Sequence, residues 1–296
     1  MSKSASLICA LITTFIWGTA FIAQDTGMDN IGPLTFNSAR FFVGFLFMLP
    51  VALIIERKKI IPEINSNKKL FFKYYMFMGV SLFLGTSLQQ AALQYTNIAN
   101  AAFFTIFYVP IVPILLFFFY KIKVHWSIWP SIVMCIIGVY LLSNFSDSQI
   151  MLGDALVILC SLFWALHIIF AGKFMKKFDL PIFYASLQSI FVFSLSIIAA
   201  YVFEEIDIQK ILLEYSSILY AGILSGGVAF TLQMYAQKNI DVAPAAIIYS
   251  LEGVFAALAG WIILNQILNL DNIIGCFLIL FAVILSQIAP SAVKKV

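Results

Sequence analysis

Residues 5–23 read ASLICALITTFIWGTAFIA, and residues 152–171 read LGDALVILCSLFWALHIIFA. Each is an apolar run of about 20 residues, the length that crosses ~30 Å of hydrocarbon as an α-helix. Working outward from these two, further runs follow at 33–55, 72–93, 98–119, 126–143, 181–203, 215–236, 243–264 and 271–289. The runs are continuous. Membrane β-strands would be about half as long and would alternate in polarity, so ten helical spans are expected. Composition agrees: 62% of the 296 residues are hydrophobic and 10% are charged, against about a quarter charged in soluble domains. The first run is too long for the core of a leader peptide and has only Lys3 ahead of it, so it is read as a span.

Charge sets the orientation. With the N-terminus inside, the inner segments carry Lys3, then Arg57, Lys58, Lys59, Lys68, Lys69 and Lys73, then Lys121 and Lys123, Lys173, Lys176 and Lys177, Lys238, and finally Lys294 and Lys295. The outer loops carry only Lys210. Lys and Arg collect on the cytoplasmic side, so both termini are expected there. Lipid headgroups account for the short basic loop between Arg57 and Lys73, and nucleic acid is not expected as a partner. The cysteines Cys9, Cys135, Cys160 and Cys276 lie inside apolar runs without metal-ligand spacing. No metal or cofactor is expected.

The two opening stretches also correspond. Trp17 and Trp164 are 147 residues apart, and Pro33 and Pro181 are 148 apart. Gln90-Ala-Ala-Leu-Gln94 matches Gln233-Met-Tyr-Ala-Gln237 at an offset of 143, which also pairs Ala102 with Ala245 and Pro110 with Gly253. The expected fold is therefore all-α, with five-helix repeats over 1–145 and 150–290. Five is odd, so the second repeat starts on the opposite face and the halves are inverted. Such a fold places a polar site near mid-membrane, between the halves.

Several motifs fall in register with one family. Trp17-Gly18-Thr19-Ala20-Phe21, Arg40-Phe41, Ala92-Leu93-Gln94-Tyr95-Thr96 and Ser250-Leu251-Glu252 resemble, in this order, signatures of the EamA-type permeases of the drug/metabolite transporter superfamily. The resemblance implies a ten-helix carrier in a bacterial inner (plasma) membrane. It leaves the substrate open, since members move amino acids, nucleotide derivatives, sugars and drugs. Two features depart from the pattern. Gly253 replaces the Pro after Glu252, and Phe119-Tyr120-Lys121 and Asn265-Gln266 stand where a Gly-Glu pair is usual.

Charged side chains at bilayer depth are costly and usually face a cavity. Glu252 lies roughly 13–14 Å into its span at 1.5 Å per residue. It is a candidate for proton coupling or for binding a substrate amine, with a hydrogen-bonded structural carboxyl as the other reading. Arg40 fits either a substrate anion or a lock on helix ends. Trp17 and Trp164 fall mid-span, away from the interfaces that Trp126, Trp129 and Trp261 occupy by position, and are expected to line the cavity. Asn100 and Tyr108 precede the prolines Pro110 and Pro113 of the fourth span and are polar candidates for the cavity. Tyr249 precedes Glu252 by three residues and is read as sharing its face. The pairs Gln90/Gln94 and Gln233/Gln237 have i, i+4 spacing. Gln90 and Gln233 are expected to line the cavity, and Gln94 and Gln237 to act as gates, with capping of helix ends as the other reading.

The reading is a secondary transporter of a small polar metabolite, an amino acid or related compound, working by efflux and alternating access. Its partners would be substrate, bilayer and a coupling proton, and it would act as monomer or homodimer. No GxxxxGK[ST] loop is present for ATP. An intramembrane enzyme would need paired catalytic groups, which the sequence does not offer. That enzyme and a lipid flippase stand as the alternatives, and a channel is a third option that would not need an inverted duplication.

Overall fold

The computed structural model describes residues 2–96, 98–142, 152–263 and 267–287. Among the described residues all regular structure is helical. Lys294 and Lys295, residues 143–151 and the pair Asn265-Gln266 lie outside them.

Helix α1 spans Lys3–Thr26 and is capped by the Ser2 hydroxyl, which accepts from the Ala5 amide. Helix α2, Pro33–Ile55, opens on a proline, whose fixed φ and missing N–H suit a first turn. The loop expected next is instead a helix, α3, Arg57–Ser66, with none of its side chains buried. Its basic residues place it between apolar runs, where the sequence reads as a loop. Asn67 then caps α4, Lys68–Ala92. There follow α5 (Ile98–Thr105), α6 (Tyr108–Tyr120), α7 (Ile128–Leu142), α8 (Leu152–Met175) and α9 (Pro181–Phe203). After these come α10 (Ile208–Leu213), α11 (Tyr215–Leu219), a π-helical stretch at Tyr220–Ala229, and α12 (Phe230–Gln237). The chain closes with α13 (Val242–Tyr249), α14 (Leu251–Ile263) and α15 (Leu270–Ser286).

Among the described residues seven helical segments are long and apolar enough to cross a membrane: Lys3–Thr26, Pro33–Ile55, Asn100–Tyr120, Leu152–Met175, Pro181–Phe203, Tyr215–Gln237 and Val242–Ile262. Shorter apolar helices lie at Ile128–Leu142 and Leu270–Ser286. Large apolar side chains such as Phe15, Leu46, Val133, Tyr201 and Phe281 are exposed around the bundle. In water they would be a liability; in lipid they meet their own kind. This is a multi-pass membrane protein.

Helices α2 and α9 pack antiparallel and cap each other. The Glu56 carboxylate, just past the end of α2, accepts from the amides of Ile182 (3.1 Å) and Phe183 (2.8 Å) in the first turn of α9. The Glu204 carboxylate, just past the end of α9, accepts from the amides of Leu34 and Thr35 (both 2.8 Å) and the Thr35 hydroxyl (2.7 Å) in the first turn of α2. Those amides have no partner inside their own helix, and the helix dipole favours a negative charge there.

Two expected spans are broken at related places. The fourth is interrupted between Thr105 and Tyr108, and the ninth at Ser250. The second break corrects the expectation that Tyr249 and Glu252 share one helical face, since they stand on α13 and α14 respectively. Likewise α4 ends at Ala92, so Gln94 lies in the following turn, exposed, and does not share a helix face with Gln90.

Candidate functional site

The two breaks meet. Tyr108 opens α6 and Glu252 lies in the first turn of α14. Both are buried, and the Tyr108 hydroxyl donates to Glu252 Oε1 at 3.2 Å. The Glu252 backbone is pressed against α1. A Cβ at Gly18 would stand 2.6 Å from Glu252 O and 2.7 Å from Phe255 Cβ. Only glycine allows this crossing, which brings the neighbouring Trp17 beside the same space.

Arg40 projects from α2 and is buried. Its Nε and Nη2 donate to Asn37 Oδ1 at 2.9 and 2.8 Å, and Nη1 donates to Gln24 Oε1 at 3.0 Å. Asn37 is held in that orientation because its Nδ2 faces the hydroxyls of Thr86, Ser87 and Ser196 at 3.1–3.2 Å. The guanidinium also lies over the Phe41 ring, 5.0 Å from its centroid. Among the described residues no carboxylate forms an ion pair with it. Each hydrogen bond to the charged group contributes about 1.5–3 kcal/mol, so neutral amides stabilise the cation without neutralising it.

Arg40, Tyr108 and Glu252 line one cavity of about 40 Å³, room for roughly three waters at ~10–15 Å³ each. A metabolite enters only if the helices part. Arg40, Gln24, Thr86, Gln89 and Thr105 border the end near the α1–α2 turn, while Trp17, Trp164 and Phe230 form the floor. Gln89 donates to the Thr105 hydroxyl at 2.9 Å. In the floor, the rings of Trp164 and Phe230 stack at 6.2 Å with an interplanar angle of 10°, and Trp17 lies 5.3 Å from Phe230.

Of the residues singled out from sequence, Trp17, Arg40, Tyr108, Trp164 and Glu252 line this cavity. Tyr249 packs beneath it, 5.6 Å from Trp17. Gln90 is buried beside it, donating to Gln24 O at 2.8 Å. Asn100 faces Asp154 on α8 at 3.5 Å. Gln233 and Gln237 are buried on α12, and Gln237 donates to Ile168 O at 2.9 Å. Sequence reasoning missed Gln24, Gln89, Thr86, Thr105, Phe41 and Phe230. Gln24 stands where the first apolar run ends and reads as a span boundary. The adjacent pair Gln89-Gln90 was the one available signal for Gln89.

A separate ionic cluster lies at the opposite end of the bundle, past the end of α8. Asp179 bridges Lys59 of α3 (2.7 Å) and Lys238 just after α12 (2.5 Å), while Lys176 pairs with Asp241 at 2.8 Å. Lys238 first, and Lys59 second, hold the Asp179 carboxyl below its usual range.

The EamA-like transporter family matches residues 4–144 and 151–287. An uncharacterized transporter of Archaeoglobus fulgidus is 32% identical over 282 residues, 95% of this chain and 85% of the relative. The uncharacterized transporter YoaV of Bacillus subtilis is 23% identical, over 90% and 91% of the two chains. A WAT1-related protein of Arabidopsis thaliana is also 23% identical, over 94% and 88%. One solved crystal structure superposes with a TM-score of 0.79 at 14% identity, covering 97% of this chain and 98% of the other, a likeness of fold.

Proposed function

Because the chain belongs to the EamA-like transporter family, we propose that it is a secondary carrier exporting a small zwitterion, an amino acid or close relative, by alternating access. The observation that carries this reading is that an arginine and a glutamate, Arg40 and Glu252, line one buried aromatic-lined cavity. Arg40 meets only neutral oxygens and keeps its attraction for a carboxylate. Glu252 suits an ammonium, and the faces of Trp17 and Trp164 suit both a cation and an apolar side chain.

A proton and an ammonium compete for the Glu252 carboxyl. A carrier in which each displaces the other is an antiporter, so inward proton movement drives substrate outward. Support for ten spans in two inverted halves, 1–145 and 150–290, comes from the reciprocal caps of Glu56 and Glu204 and from the matching helix breaks. Lys and Arg asymmetry supports cytoplasmic termini, with a bacterial inner membrane as the setting. Gln94 and Gln237, at opposite ends, are the proposed gate amides.

The test is counterflow in proteoliposomes with a radiolabelled L-amino-acid mixture, with and without a proton gradient. Saturable counterflow is expected. Glu252→Gln should abolish gradient-driven accumulation while exchange persists. Absence of saturable counterflow would refute the reading, and phospholipid scrambling in its place would make the protein a flippase.

A further inference from the structure

Buried polar atoms without partners are few in natural interiors. Among the described residues one cluster of them lies just beyond the cavity floor. His167 on α8 and Gln188 on α9 are fully buried and joined, imidazole Nε2 to amide Oε1, at 3.0 Å. Their other ends are bare: His167 Nδ1 and Gln188 Nε2 have no partner. Gln233 on α12 is fully buried, and neither of its amide atoms is bonded.

Neighbouring contacts locate Gln233. Phe230, three residues earlier, meets His167 edge-on at 5.7 Å. Gln237, four residues later, donates to Ile168 O. Positions 230, 233 and 237 form one helical stripe, and both of its ends touch α8 at consecutive residues. Gln233 therefore lies along α8 next to His167. The cluster sits about one turn beyond Trp164, toward the end of the bundle that carries Asp179.

The bare atoms form a complementary set. With Nε2–H donating to Gln188, His167 Nδ1 carries a lone pair. Two amide donors, Gln188 Nε2 and Gln233 Nε2, then stand beside two acceptors, Gln233 Oε1 and His167 Nδ1. Packing alone would be better served by apolar side chains. The repeat offsets add a second argument: Gln188 lies 148 residues after Arg40, and Gln233 lies 143 after Gln90. The cluster occupies in the second half the place that Arg40 and Gln90 occupy in the first.

We infer that His167, Gln188 and Gln233 form a second polar station for the transported zwitterion, engaged when the Trp164–Phe230 floor parts. The substrate carboxylate accepts from the two amide nitrogens, and its ammonium donates to Gln233 Oε1 and His167 Nδ1. This rests on the zwitterion-carrier reading above.

The test uses the full chain in proteoliposomes, the labelled L-amino-acid mixture, and the variants Gln188→Met and Gln233→Met. Gln233→Met should keep or raise Tm, because a wholly unpaired amide is removed, whereas Gln188→Met also leaves His167 Nε2 without its partner and should lower Tm modestly with binding kept. Binding followed by tryptophan fluorescence should stay within about twofold, while exchange falls roughly tenfold, the worth of one hydrogen bond. Unchanged exchange in both variants, beside an active wild type, overturns the station and leaves the carrier reading standing. So does a parallel loss of binding and Tm, which marks structural residues. No exchange by the wild type overturns the zwitterion reading and the station together. If one variant fails to fold, the other carries the same test.

Discussion

Glu56 and Glu204 each close the start of the helix that the other ends. Glu56 binds the first-turn amides of α9, and Glu204 those of α2. The two glutamates are 148 residues apart, the same separation as Pro33 and Pro181, which open the two helices. One interaction is thus used twice, once at each end of the pair. The pair is pinned at both ends, and under the proposed alternating access the opening motions would fall to the helices around it.

Glu56→Ala and Glu204→Ala should each cost about 1–3 kcal/mol, since buried donors lose a charged acceptor. The sites are separated by a helix of ~34 Å at 1.5 Å per residue, and distant changes add. The double variant should therefore lose the sum. Equilibrium unfolding in detergent mixtures measures this. A loss at one site only would contradict the reciprocal arrangement.

Asp179 gives a pH-dependent prediction. Its folded pKa lies below the ordinary 3.8 because of Lys238 and then Lys59. A lowered folded value means that the ionised form favours folding. The contribution is complete above the unfolded pKa, about 3.9, and is lost as pH falls through the folded value. The pairs are partly exposed, so they are worth about 0–1 kcal/mol. Asp179→Asn should lower Tm slightly and equally at neutral and mildly acidic pH, with the gap to wild type closing below pH 3.8. A gap constant across that range would mean that charge is not what joins these segments.

Trp17 and Trp126 should separate binding from anchoring. Trp17 lines the cavity, whereas Trp126 is exposed at the bundle surface. Trp17→Ala should weaken substrate binding roughly tenfold, about 1.4 kcal/mol, by removing a ring face worth ~0.5–2 kcal/mol to a cation. Trp126→Ala should leave affinity unchanged. Binding isotherms on purified protein decide this, and equal losses at both positions would reduce Trp17 to a packing residue.

Much of the architecture was legible because lipid imposes a crude rule: runs near 20 residues must be helices. The expected run at 33–55 and the helix Pro33–Ile55 coincide, as do 181–203 and Pro181–Phe203. Charges buried in runs pointed to Arg40 and Glu252. Polar residues near span ends were harder to read. Glu56 and Glu204 look like solvated loop charges, and only tertiary structure brings each to a distant helix start. Gln24 was hidden by the same ambiguity. The break at Ser250 lies well past Pro244 and has Gly253, not a proline, after it, so little local signalled that Tyr249 and Glu252 sit on separate helices. His167 lacked a sequence partner because Gln188 arrives from the next helix.

The most direct test trims the ligand. For an amino acid that the protein transports, binding is compared with that of its decarboxylated amine and its deaminated acid. In the wild type each trimmed ligand should lose affinity by roughly 10–100-fold, the worth of a charged hydrogen bond of about 1.5–3 kcal/mol. In Arg40→Ala the amino acid and the amine should bind alike; in Glu252→Gln the amino acid and the acid should bind alike. If Arg40→Ala weakens amino acid and amine by the same factor, Arg40 does not hold the carboxylate, and the two-charge cavity is not the binding site.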